Sequence, residues 1–269
     1  MEGPHLGFVS SGFVDIDCMT GGFWPGDLIL IGGSPCIGKT ALALNMAEHA
    51  AIEQSLPVSI VSMDMAVEQI AVRLLCSMGR ISLDNMRSGR LTEYEGPRLA
   101  LAIDELAGSS LILEYAPAVE LEQLTETVKG FSEKHGKQSL IVVDYLQLIL
   151  DANRKTSLGP GIAAALRELK KLAIALQCPV IALWQLSSEV ETRPGSRPLI
   201  SDLVPTEAVE RYADVVMLIY RDDLYSTTAC LEPGVVEVTF PKRRDGSTGV
   251  SKLVFLEKMA KYEILVSRN

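Results

Sequence analysis

The chain has 269 residues, 48% of them hydrophobic, with 25 Lys and Arg against 34 Asp and Glu for a formal net charge of −9. That length and apolar content suit one large domain with a sizeable core, and the acidic balance excludes a protein that grips nucleic acid by broad electrostatics, so any such contact must be local. No apolar run reaches the ~18 residues of a membrane span, no basic-then-apolar secretion signal opens the chain, and Cys18, Cys36, Cys76, Cys178 and Cys230 are isolated, without a C-x-x-C pair, which argues against a disulfide framework or a zinc site.

Taken in chain order, short apolar runs predict strands at residues 28–31, 58–62, 111–113, 140–144, 180–184 and 215–220. Helices are predicted between them at 41–52, 67–77, 97–106, 121–135 and 163–176. Near-continuous apolar strands separated by amphipathic helices indicate a mostly parallel twisted sheet covered on both faces, an α/β architecture. Beyond residue 220 the pattern changes to short strands at 235–240, 253–256 and 262–266, separated by turn residues. These predict a C-terminal antiparallel extension of the same sheet. Residues 152–161, polar and containing Gly-Pro-Gly, read as a mobile surface loop, and 193–203 as another loop. The sequence holds no internal repeat and no low-complexity tail.

The segment Gly33-Ser34-Pro35-Cys36-Ile37-Gly38-Lys39-Thr40 falls between the first predicted strand and the first predicted helix. In that context a G-x-x-x-x-G-K-T run describes a phosphate cradle. Its glycines let backbone N–H groups converge on phosphates, and the helix N-terminus adds partial positive charge. Lys39 is expected to reach the β- and γ-phosphates of ATP, and the Thr40 hydroxyl to ligate Mg²⁺. A turn that merely connects strand to helix would not need Gly, Lys and Thr in register.

Asp144 ends the apolar strand at 140–144 and is expected to hold the Mg²⁺-bound water opposite Thr40. Asp64, just past the strand at 58–62, is placed to poise the attacking water, although a helix N-cap role explains it as well. Gln185 follows the strand at 180–184, where its amide could sense the γ-phosphate; ordinary strand-end polarity explains it nearly as well. In Phe-Pro-Lys242-Arg243-Arg244-Asp-Gly, strand alternation would put Lys242 and Arg244 on one face. They could act as cations delivered to a neighbouring subunit's phosphate, or form a solvated basic hairpin tip.

Ser11-Gly-Phe-Val-Asp-Ile-Asp, the phosphate loop, Ser62-Met-Asp-Met65, Asp144-Tyr-Leu-Gln-Leu148, Pro179-Val-Ile-Ala-Leu-Trp-Gln-Leu186, Ala213-Asp-Val-Val216 and Lys242–Gly249 together resemble the helicase domain of bacterial replicative helicases, the DnaB type within the RecA-like ATPases. The resemblance covers almost the whole chain. It implies a RecA-like P-loop NTPase acting as a homohexameric ring that hydrolyses ATP between subunits and translocates on single-stranded DNA, in the cytoplasm of a bacterial or phage replication context. It gives Arg73 the role of a nucleotide-contacting arginine, and Lys242 and Arg244 that of a pair reaching the neighbour's γ-phosphate. It also makes residues 1–269 a single ATPase domain, with the family's N-terminal helical domain and linker absent.

Two departures from the family pattern concern chemistry. The family carries Glu where this chain has Asp64, which predicts slow basal hydrolysis. Its DNA-contacting loop reads Asp-Leu-Arg-Glu-Ser-Gly, whereas here it is Asp202-Leu-Val204-Pro205-Thr-Glu207. Val204 deletes a guanidinium, Pro205 a backbone donor, and Glu207 adds an anion, all of which weaken contacts to DNA phosphates. A diverged paralogue that binds nucleotide and assembles, but serves as a regulatory module, therefore stands as the alternative to a working motor. A RecA-like relative of the recombination or clock type is disfavoured by Asp144-Tyr-Leu-Gln-Leu148.

Overall fold

The computed structural model describes residues 7–117, 120–151, 158–193, 195–225 and 232–265. Its strands are β1 (Leu28–Gly33), β2 (Val58–Ser62), β3 (Leu111–Tyr115), β4 (Leu140–Asp144), β5 (Val180–Gln185), β6 (Val215–Tyr220), β7 (Val235–Lys242), β8 (Gly249–Leu256) and β9 (Lys261–Ile264). They form one nine-stranded sheet in the order β3-β2-β4-β5-β1-β6-β7-β8-β9. Pairings from β3 to β6 are parallel, and those from β6 to β9 antiparallel, as the sequence predicts.

The helices are α1 (Val14–Thr20), α2 (Lys39–Ile52), α3 (Val67–Gly79), α4 (Leu83–Ser88), α5 (Glu95–Gly108), α6 (Leu121–His135), α7 (Leu146–Asp151), α8 (Leu158–Leu176), α9 (Glu189–Thr192) and α10 (Thr206–Tyr212). Strand alternation divides the core between the two faces of the sheet. Ile29 and Ile31 of β1 join a layer with Leu42 and Met46 of α2 and Leu74 of α3. Leu28 and Leu30 join the opposite layer with Val128 of α6 and Leu166 and Leu169 of α8. No helix among the described residues is long and apolar enough to cross a membrane.

Several boundaries differ from those read in the sequence. The short helices α1, α4, α7, α9 and α10 have no counterpart in the sequence pattern, because one or two turns carry too few residues for a helical period to show. Residues 158–161 of the expected loop belong to the first turn of α8, and 152–157 lie outside the described residues. Pro160 fits in that turn because N–H groups there have no helical acceptor; Pro97 occupies the same position in α5. The loop at 193–203 holds a short 3₁₀ turn, Ile200–Asp202. At the C-terminus β8 starts at Gly249 and β9 ends at Ile264, with Val266 outside the described residues. β7 ends at Lys242, so Arg244 lies in the following turn, and strand alternation does not pair it with Lys242.

Candidate nucleotide site

Parallel register brings the site together. Gly33 of β1 pairs with Gln185 of β5, and Ser62 of β2 with Asp144 of β4, so four strand ends meet at one sheet edge. Backbone bonds lock the edge: Leu186 N–H donates to Gly33 O at 3.0 Å and Met63 N–H to Asp144 O at 2.7 Å. Ligand sites in open α/β sheets form outside such carboxyl ends.

Between β1 and α2 the chain makes a turn that only special backbone angles allow. Gly38 has φ 112° and Cys36 φ 58°. A Cβ on Gly38 would also stand 2.3 Å from the Tyr262 hydroxyl, which reaches under the turn from β9. Glycine is therefore required there twice, by φ and by space. Helix α2 starts directly at Lys39, so its first turn points N–H groups at the cavity in front.

Lys39 is 8% exposed, and its Nζ donates to the Ser34 carbonyl at 2.7 Å. Burial lowers its pKa to about 8, against the opposing pull of Asp144. The Thr40 hydroxyl donates to Asp144 Oδ2 at 3.0 Å. Burial pushes the Asp144 carboxyl up to about 6; the bond from Thr40, with Lys39 and Arg73, pulls the other way, while Asp64 adds to the rise. Asp64 is exposed at the cavity mouth. It is not the cap of α3, since that position belongs to Ala66, whose N–H is accepted by the Gln69 side chain. Arg73 of α3 is half-buried; burial and then the neighbouring Arg87 lower its pKa, with Asp144 and Asp64 opposing.

These groups surround one cavity of about 770 Å³, lined among others by Lys39, Thr40, Asp64, Arg73, Asp144 and Gln185. Pro35, Cys36 and Gly38 also line it. Gly33, Ser34 and Ile37 lie behind it: Ser34 and Ile37 are buried, and a Cβ on Gly33 would press on Ile37.

Lys242 and Arg244 do not line the cavity. Nor do they form a solvated basic tip. The Lys242 ammonium donates to the Glu210 and Ala213 carbonyls at the end of α10. Arg244 pairs with the buried carboxylate of Asp27, its Nε donating at 2.9 Å. Between them, Arg243 donates to Met19 O and Ser247.

Sequence reasoning missed several groups at the cavity. Gln147 of α7 holds the Gln185 backbone through both ends of its amide, donating to the carbonyl at 2.7 Å and accepting from the N–H at 3.2 Å. This replaces a ladder contact, because the β4–β5 pairing ends at Val143 and Ala182. Arg87, Tyr145, Phe255, Glu257 and Lys258 are further cavity residues. The Asp144-Tyr-Leu-Gln-Leu148 segment already contained the signal for Tyr145 and Gln147; the others come from elements whose approach only the fold reveals.

Fold and site geometry together define an α/β protein of the RecA-like, phosphate-loop class. Within that class the chain belongs to the DnaB-like helicase C terminal domain family, whose sequence model matches residues 8–264. It is 36% identical over 261 residues to the replicative DNA helicase DnaC of Bacillus subtilis (strain 168), covering 97% of this chain and 57% of that protein. Over the same length it is 34% identical to the replicative DNA helicase DnaB of Geobacillus stearothermophilus, again 97% and 57% of the two chains. The chain thus spans little more than half the length of these curated relatives. Among solved structures it superposes on an ATPase domain with a TM-score of 0.89 at 30% identity, covering 97% of this chain and 94% of that one. A DnaB-like replicative helicase described with its primase interactions gives a TM-score of 0.89 at 31% identity, covering 96% and 62%.

Proposed function

We propose that this chain is the ATP-hydrolysing motor core of a DnaB-type replicative helicase, residues 1–269 forming one ATPase domain that works in the cytoplasm on single-stranded DNA as a hexameric ring. The observation that carries the reading is the convergence of Lys39, the Thr40–Asp144 pair, Asp64, Arg73 and Gln185 on one cavity at the sheet edge.

In this reading the N–H groups of the turn and of the first turn of α2 hold phosphate oxygens, and Lys39 offsets charge on the β- and γ-phosphates. The site fits Mg²⁺. Thr40 and Asp144 offer adjacent hard oxygen donors, and the buried Asp144 carboxylate carries a charge that a cation would stabilise. When bound, the metal neutralises charge on the transferred and leaving phosphates. Asp64 orients the attacking water, and Gln185, its backbone fixed by Gln147, faces the reacting phosphate. Lys242 and Arg244 serve the neighbouring subunit's site, leaving their intramolecular partners to do so, which makes hydrolysis depend on assembly.

Val204 is 60% exposed and Glu207 lies exposed in the first turn of α10. Both support weak contact with DNA phosphates at this loop. The replicative helicases at 34–36% identity favour the motor over a regulatory paralogue. ATP turnover with and without a single-stranded oligonucleotide tests the choice. Stimulation by DNA is expected; DNA-independent turnover, or none, would return the paralogue.

A further inference from the structure

Arg87 brings a second guanidinium to the cavity from an element that no part of the phosphate-loop motif predicts. Helix α4, which carries it, is tied down by Glu95 at the start of α5. Glu95 is 5% exposed and accepts from Ser82 N–H at 3.2 Å, Thr92 N–H at 2.8 Å and the Asn85 amide at 3.0 and 3.1 Å. Gly89, in the left-handed region, ends the helix one residue after Ser88. The backbone under Arg87 is therefore fixed from both sides.

The side chain is not. Among the described residues, neither Arg87 nor Arg73 makes a hydrogen bond or an ion pair, although both line the cavity and Asp84 sits one turn before Arg87 on the same helix. Two guanidiniums on one cavity wall repel, and the charge of Arg87 adds to burial in disfavouring the charge of Arg73. A fold that holds like charges together beside a phosphate cradle is complementary to a multiply charged anion. A guanidinium fork matches phosphate oxygens bidentately, which an ammonium cannot do.

We propose that Arg87 is a further binding residue for the nucleotide, gripping its polyphosphate chain together with Arg73 of the same subunit. The assignment rests on the cavity being the nucleotide site.

The test compares the wild-type chain with Arg87→Ala, Arg87→Lys and Lys39→Ala in titrations with Mg²⁺ and a fluorescent non-hydrolysable ATP analogue, competed with inorganic tripolyphosphate. Arg87→Ala is expected to weaken both the analogue and tripolyphosphate by about tenfold or more, since a hydrogen-bonded charge pair is lost. Arg87→Lys should recover only part of that. The melting temperature should stay at the wild-type value, because Arg87 holds no structural bond. Weakened analogue binding with unchanged tripolyphosphate binding would place Arg87 on the base or sugar and overturn the proposal. Unchanged binding in Arg87→Ala with binding lost in Lys39→Ala would overturn it while leaving the site intact. Unchanged binding in both would instead remove the nucleotide site itself.

Discussion

Lys39 and Asp64 sit in the same cavity under opposite conditions, one buried against the Ser34 carbonyl and the other exposed at the mouth. Burial lowers the Lys39 pKa to about 8, below its ordinary value of 10.5. The folded protein therefore binds fewer protons than the unfolded chain between those two pH values, and the cost of the buried ammonium is fully present below pH 8. The useful charge is lost in the other direction: as pH rises through about 8 the ammonium deprotonates, and nucleotide affinity should fall. Titrating a fluorescent ATP analogue from about pH 7 to about pH 9.5 at fixed ionic strength checks this, with a flat profile counting against it. At Asp64 the carboxylate is one methylene shorter than the family's Glu, and a displacement of about 1 Å at a water-orienting group can cost of order a hundredfold. Asp64→Glu should raise steady-state turnover several-fold without changing nucleotide affinity. Lower turnover with intact binding would mean that the surrounding groups have already adapted to Asp.

The C-terminal meander connects parts of the chain that lie far apart in sequence. β7 ends in Lys242, whose ammonium donates to two carbonyls at the end of α10, a favourable place for a cation. The same α10 begins at the Val204–Glu207 segment, with Pro205 before its first turn. β9 supplies Tyr262 beneath the phosphate turn, and Asn45 of α2 accepts the Tyr262 N–H at 2.6 Å. Lys242→Met should lower stability by roughly 1 kcal/mol through loss of these charge-assisted bonds. Chemical denaturation would measure it, and an unchanged midpoint would mean that the contact carries no weight. The parallel sheet, its antiparallel extension and the phosphate turn were legible in the sequence because their signals are contiguous: an apolar run, a glycine-bearing turn, a carboxylate at a strand end. Arg87 and Tyr262 were not, because their roles come from α4 and β9 arriving at the cavity from elsewhere in the chain. The engagement of Lys242 and Arg244 within their own subunit was likewise invisible, since Glu210, Ala213 and Asp27 lie distant in sequence.

At the scale of the molecule, the net charge of −9 means that the DNA of the proposed function would have to be held by local groups against an unfavourable overall field. Val204, exposed where the family's DNA-contacting loop carries Arg, is a position where one added cation should count. Val204→Arg should tighten binding of a single-stranded oligonucleotide and steepen the dependence of log affinity on log salt by about 0.7, the increment expected for one added phosphate contact on a single strand. Fluorescence anisotropy over a salt series reads both. Identical slopes for wild type and variant would remove this loop from the DNA path. The engagement of Lys242 and Arg244 within one subunit adds a second expectation at this scale: a lone subunit is catalytically incomplete, and activity requires that these cations reach a neighbour.

The most direct measurement is ATP turnover by Lys39→Ala and Arg244→Ala proteins, each alone and then mixed in equal amounts with single-stranded DNA present. Background turnover is expected for each alone and recovery in the mixture, where an intact phosphate turn would meet an intact arginine from the next subunit. Wild-type turnover by Lys39→Ala alone, or a mixture as silent as its components, would contradict it.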